Sequence, residues 1–238
     1  MVEMWLNRAQ AEVKAGNTHP GVQSTTKMYT MAVDAWAKSG EGEKAAQRAE
    51  AILQHMYNVY QSGIFDSLKP TTGIFNAVIN SWARSNSKIA PLRAEQILVW
   101  MEELHSSGNL DVKPDKYTYN TVIHAWAKSG GKEAAARAQK ILDNMQTMYR
   151  EGNSFAKPDA ITYNVVINSW AKSGDKCAAL EAERLLSKMY TQYESGNLDV
   201  KPNVITYGAV VSALSFVFLG EQELNDRKEG MIYTCVKG

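Results

Sequence analysis

Pro70, Pro114, Pro158 and Pro202 recur at a constant step of 44 residues. Trp82, Trp126 and Trp170 keep the same step, and Trp36 lies 46 residues before Trp82. A methionine follows each tryptophan, at Met56, Met101, Met145 and Met189. The tetrads WAKS, WARS, WAKS and WAKS fall at 36–39, 82–85, 126–129 and 170–173. A chain that repeats itself at this length is built of stacked supersecondary units, each unable to bury its apolar surface alone. The period divides the 238 residues into a partial unit at 1–23, full units at 24–69, 70–113, 114–157 and 158–201, and a partial or degenerate unit at 202–238.

Within a unit the apolar residues have helical spacing. Tyr119, Val122, Ile123 and Trp126 stand at i, i+3, i+4 and i+7, and Tyr163, Val166, Ile167 and Trp170 repeat them. The proline ahead of each such run suits the first helical position, where its missing N–H would go unpaired anyway. Ser-Gly then ends the helix, with Gly130 or Gly174 free to adopt a left-handed conformation. A second stripe, Ala138, Ile141, Leu142, Met145 and Tyr149, marks a second helix, and a loop such as SGNLDVKP closes the unit. Two helices cannot bury both stripes, so neighbouring pairs must stack. The expected fold is all-α, an α-solenoid (right-handed superhelix) of helix-turn-helix repeats of about 44 residues.

Packing explains the apolar letters but not the polar ones. Asn120, His124 and Lys128 run i, i+4, i+8 on the face away from the tryptophan stripe. Asn164, Asn168 and Lys172 match them, as do Asn76, Asn80 and Arg84, and more loosely Thr30, Asp34 and Lys38. Stacking would align these as an amide ladder beside a cationic ladder of Lys38, Arg84, Lys128 and Lys172. Asparagine is a mediocre helix former, and its amide offers both donors and an acceptor. Regularly spaced cations suit a phosphate backbone. The residues themselves leave two readings open, a solvated polar face and a surface for single-stranded nucleic acid.

The recurring K-P-(D/N)-x-x-T-Y-N-x-x-I-x-x-W-A-K-S-G, followed by A-x-x-I-L-x-x-M, resembles the pentatricopeptide repeat family over about Ser24 to Leu214. The resemblance implies a helical-hairpin solenoid that binds single-stranded RNA at roughly one base per repeat, mostly in mitochondria or chloroplasts, in RNA processing, stability or translation. It further implies base selection by the Asn of T-Y-N together with the residue after the next unit's proline. The pairs here are Thr30 with Thr71, Asn76 with Asp115, Asn120 with Asp159, and Asn164 with Asn203. By the same resemblance Asn/Asp favours U and Asn/Asn favours C over U, so the site leans towards pyrimidines; Thr/Thr is not a defined pair. Base packing would fall to Tyr117, Ile161 and Ile205, whereas Lys27 and Gly73 depart from the family's aliphatic type. The cationic ladder of Lys38, Arg84, Lys128 and Lys172 is the expected phosphate contact. The unit is longer than the family's norm, and Gly208 stands where the final unit should carry its Asn.

Other functions find less support. A net charge of +1 favours no partner class, so any anion must be held by a local stripe. Cys177 and Cys235 have no CxxC neighbour and read as small apolar residues of a reducing compartment. His19, His55, His105 and His124 lack metal-ligand spacing, and acid pairs such as Glu102–Glu103 sit among Lys and Arg on second helices. No catalytic motif is present, and neither enzyme activity nor a cofactor is expected. No apolar run is long enough to cross a bilayer. The opening MVEMWLNRAQAEVKAG is unlike a signal or transit peptide and reads as the middle of a helix, as in a piece of a longer chain. The rival reading is a peptide-binding scaffold of the tetratricopeptide kind, and protein partners stay open beside RNA.

Overall fold

A computed structural model of the protein describes residues 26–63, 68–109 and 111–215. The described residues are helical and contain no strand. The helices are α1 (Thr26–Lys38), α2 (Glu43–Gln61), α3 (Thr72–Arg84), α4 (Ala90–Ser106), α5 (Lys116–Ser129), α6 (Gly131–Arg150), α7 (Ala160–Ala171) and α8 (Ala178–Glu194). A ninth, α9, covers 204–215. Single 3-10 turns at Ser154–Ala156 and Leu198–Val200 precede α7 and α9. The partial unit expected at 1–23, the final unit beyond 215, His19 and Cys235 lie outside the described residues.

The chain forms two compact units that part within α5, between Ala125 and Trp126. In the first, α1 packs on α2 and α3, and α3 packs on both α2 and α4. Its core holds Tyr29, Leu53, Met56, Phe75, Ile79 and Met101, all without solvent exposure. In the second unit α7 packs between α6 and α8 around Leu142, Met145, Tyr163, Ile167 and Met189. The repeated methionines are therefore core, where an unbranched thioether fills irregular gaps. Trp82 and Trp170 are buried at 1% and 6% exposure, while Trp36 and Trp126 are half-buried. The guanidinium of Arg137 lies 5.9 Å from the centre of the Trp126 ring and covers part of it.

The proline sits two residues before the first helical position, just outside the N-cap. Pro158 precedes the N-cap Asp159, whose side chain accepts from the backbone N–H of Thr162 at 3.0 Å. Thr162 Oγ1 accepts from the backbone N–H of Asp159, which closes a capping box. Asp115 with Thr118 and Asn203 with Thr206 make the same reciprocal bonds. The D/N-x-x-T of the repeat is thus a helix-start device, and the buried proline fixes the extended entry into it. At the other end Gly40, Gly130 and Gly174 take φ of 76°, 74° and 70° after the first helix, and Asn86 fills the equivalent place at φ 56°. Asparagine is the side chain that best tolerates this left-handed turn.

The additional length of the repeat is packed rather than loose. Val112 and Val200 of the two LDV segments are fully buried. Lys69 pairs with Asp111, and Lys157 with Asp199 at 2.5 Å, so the lysine before one proline meets the aspartate of the next loop. The tyrosine of T-Y-N hangs its hydroxyl on second helices: the preceding one for Tyr119, and both the preceding and the following one for Tyr163. Tyr119 donates to Glu102 Oε1 at 2.8 Å, whereas Tyr163 receives Gln146 at 2.5 Å and Gln192 at 2.8 Å. Burial pushes the Tyr163 phenol up to about 12.

Candidate nucleic-acid interface

The capping box fixes more than the helix start. Thr118 Oγ1 lies 2.6 Å from Asn76 Oδ1 in the preceding repeat as well as 2.8 Å from Asp115 Oδ1. The threonine hydroxyl thereby occupies the Asn76 carbonyl and turns its amide nitrogen towards the Asp115 carboxylate, at 3.4 and 3.5 Å. In the second unit Thr206 Oγ1 donates to Asn164 Oδ1 at 2.6 Å, and Asn164 Nδ2 reaches Asn203 Oδ1 at 3.3 Å. Two of the four expected pairs are therefore brought into hydrogen-bond contact by a third residue, the threonine, that the sequence pattern marked only as recurrent.

The chemistry left over differs between the two pairs. Each asparagine nitrogen has two hydrogens, and one points at its partner. At Asn76–Asp115 a donor then stands beside a carboxylate acceptor. At Asn164–Asn203 the Asn203 carbonyl already accepts from the backbone N–H groups of Ile205 and Thr206, at 3.0 and 3.1 Å. Its own amide nitrogen is what remains to present, so this pair offers two donors. Asn120 is half-buried on α5, and Asp159 caps α7 in the second unit. Thr30 returns its hydroxyl to Thr26 O within its own helix at 3.0 Å, Thr71 is an N-cap without a side-chain bond, and no hydrogen bond joins the two.

Beside Asn164 a groove of about 380 Å³ opens between α7 and α9. Ile161 of α7 and Ile205 of α9, 62% and 67% exposed, line it together with Asn164 of α7. Large aliphatic side chains thus stand exposed at equivalent places of two successive first helices, in a groove that also carries polar residues. Tyr117 is 54% exposed at the same register of α5, while Lys27 is exposed and Gly73 has no side chain to offer. A second groove of about 390 Å³ is lined by Gln146, Arg150, Lys157 and Gln192, among second-helix and loop residues with no such pairing.

The expected phosphate ligands lie in or beyond the last turns of first helices. Lys38, Arg84, Lys128 and Lys172 are all exposed. No ion pair among the described residues occupies Lys38, Arg84 or Lys172. Partial burial of the His124 ring holds it below the ordinary histidine range.

Residues 104–173 match the family model of the pentatricopeptide repeat domain. That stretch includes Asn120, Asp115, Asp159, Asn164 and Lys128. No curated protein matches the chain.

Proposed function

We propose that the chain binds single-stranded RNA, one base to each junction between successive repeats, as an organellar factor in RNA processing, stability or translation. The observation that carries this reading is the groove lined by exposed Ile161 and Ile205 together with Asn164. A flat base fits between two aliphatic faces, and its edge meets the amide pair. Exposed Lys38, Arg84, Lys128 and Lys172 supply the cations for the backbone. The family match over 104–173 supports the same class of ligand, and the organellar setting rests on that family alone.

The leftover donors and acceptors give each junction a preference. A donor beside an acceptor at Asn76–Asp115 complements a carbonyl beside a ring N–H, as in U. Two donors at Asn164–Asn203 complement the adjacent N3 and O2 acceptors of C. Asn120–Asp159, of the first type by composition, would read U. The Thr30–Thr71 junction, facing Lys27 and Gly73, would contribute little selection. With repeats at 24–69, 70–113, 114–157 and 158–201, the reading assigns one such junction to each step.

Fluorescence-anisotropy titrations of short single-stranded RNAs over a salt series test the proposal. U-rich RNA carrying a single C should bind best. Replacing Arg84 and Lys172 together with alanine should weaken all sequences alike, and reduce the slope of log affinity on log salt by roughly 0.7 for each phosphate no longer neutralised. Absence of RNA binding, or binding indifferent to salt, overturns the reading in favour of a peptide-binding scaffold.

A further inference from the structure

The groove beside Asn164 extends beyond the level at which a base edge would meet the selecting pair. Its walls are matched residues of α7 and α9, 44 positions apart: Ile161 with Ile205, Asn164 with Gly208, Val165 with Ala209, and Asn168 with Ser212. Gly208 places no side chain opposite Asn164, and a Cβ added there would meet open space, so nothing obstructs the groove at that level. Asn168 and Ser212 form a second polar level.

Asn164, Asn168 and Lys172 follow one another at i, i+4 and i+8. At 1.5 Å per residue, successive levels lie about 6 Å apart along the helix axis. The threonine and Asn203 already engage Asn164, but the exposed Asn168 amide has no side-chain partner among the described residues. An unengaged amide in a groove, between a base-reading amide and a cation, stands where covalent order places the sugar of a nucleotide. An amide donates and accepts, and so does a 2′-hydroxyl.

We infer that Asn168, with Ser212 across the groove, binds the ribose 2′-hydroxyl of the nucleotide whose base Asn164 and Asn203 select, and so makes this junction discriminate RNA from DNA. The inference rests on the RNA-binding reading given above. The register recurs at Asn80 on α3 and, as an imidazole, at His124 on α5.

The test uses the whole chain, a U-rich RNA with one C, and the same oligonucleotide with 2′-deoxycytidine at that position alone. The wild-type protein should bind the all-ribose RNA roughly two- to tenfold more tightly, the range of one neutral hydrogen bond. Asn168→Ala should abolish that difference by weakening only the all-ribose RNA, while the preference for C over U and the salt slope stay unchanged. Equal wild-type affinity for the two oligonucleotides overturns the inference and leaves RNA binding intact. Equal weakening of both by Asn168→Ala also overturns it, because the amide would then not be bonded to the hydroxyl. Failure of wild-type protein to bind either oligonucleotide overturns the underlying reading together with the inference.

Discussion

Trp82 donates its indole N–H to Glu50 Oε2 at 2.8 Å, across the boundary between one repeat and the next. Arg93, on the second helix of the same repeat as Trp82, pairs with the other oxygen of that carboxylate and lies 5.9 Å from the tryptophan ring centre. In the second unit Trp170 makes the equivalent bond, at 2.5 Å, to Gln139, and Gln139 donates in turn to Glu181 at 3.0 Å. Glutamate has become glutamine, and arginine has become glutamate. The two changes belong together, since a carboxylate needs the arginine and an amide N–H suits the carboxylate.

The coupling can be measured. Gln139→Glu should place two carboxylates side by side and destabilise the chain, while adding Glu181→Arg should recreate the Glu50–Arg93 arrangement and restore stability. The interaction energy from a double-mutant cycle of urea unfolding should fall at about 0.5–3 kcal/mol. Additive effects of the two substitutions would show that the junction tolerates either charge independently.

A second junction should respond to pH. Burial raises the Glu102 carboxyl above the ordinary glutamate range, the hydrogen bond from Tyr119 opposes this, and the neighbouring Glu95 charge adds to it. The folded state therefore holds the proton more tightly than the unfolded chain. Stability falls as pH rises from about 4.3, the unfolded glutamate value, through the raised folded value. Glu102→Gln, copying the Gln146–Tyr163 pair, removes that penalty and keeps a hydrogen bond for Tyr119. The gain at pH 7 should be of order 1 kcal/mol or less, because the carboxyl is only partly buried. A gain of 1 kcal/mol would raise the melting temperature by about 2–4 °C in a chain of this size. The difference from wild type should shrink towards zero at pH 4; an equal gain at both pH values would place its origin elsewhere.

The 44-residue period and the two apolar stripes made the helix pairs and the methionine core legible, because both follow from spacing alone. The left-handed helix end was legible at Gly130 and Gly174, but its counterpart at Asn86 emerged only from backbone geometry. The prolines lie two positions before the first helical residue rather than at it. A proline before an N-cap and a proline at the first helical residue look alike in sequence until Asp159 and Thr162 are seen to bond. Thr118 and Thr206 were least legible. Their hydroxyls act on Asn76 and Asn164, each 42 residues away, and no local pattern registers a bond made only by stacking.

Thr118 should consequently matter twice. It is fully buried, and Thr118→Val keeps its shape while removing the hydroxyl from both Asn76 and the capping box. Leaving buried polar groups unsatisfied should cost about 1–3 kcal/mol in urea unfolding. In RNA titrations the base facing Asn76 should lose discrimination, because its amide is no longer held in one orientation, while preference at the Asn164 junction persists. Loss of preference at both junctions would indicate general loosening of the fold instead.

Asn203 offers the cleanest separation of selection from stability. As an N-cap it accepts from the backbone N–H groups of Ile205 and Thr206, and aspartate does the same work at Asp159. Asparagine and aspartate cap about equally well, so Asn203→Asp should leave thermal unfolding nearly unchanged. What changes is the face presented to the base, where an amide donor becomes a carboxylate acceptor beside the Asn164 donor. The preferred base at that one position should therefore shift from C to U. The change in discrimination should be about 1–3 kcal/mol, the scale of a paired base-edge interaction in DNA. Competition titrations with RNAs differing only at that nucleotide measure it, and the salt slope should hold because no cation is touched. A uniform loss of affinity for every sequence would mean that the added charge merely repels the backbone, and that Asn203 does not face the base.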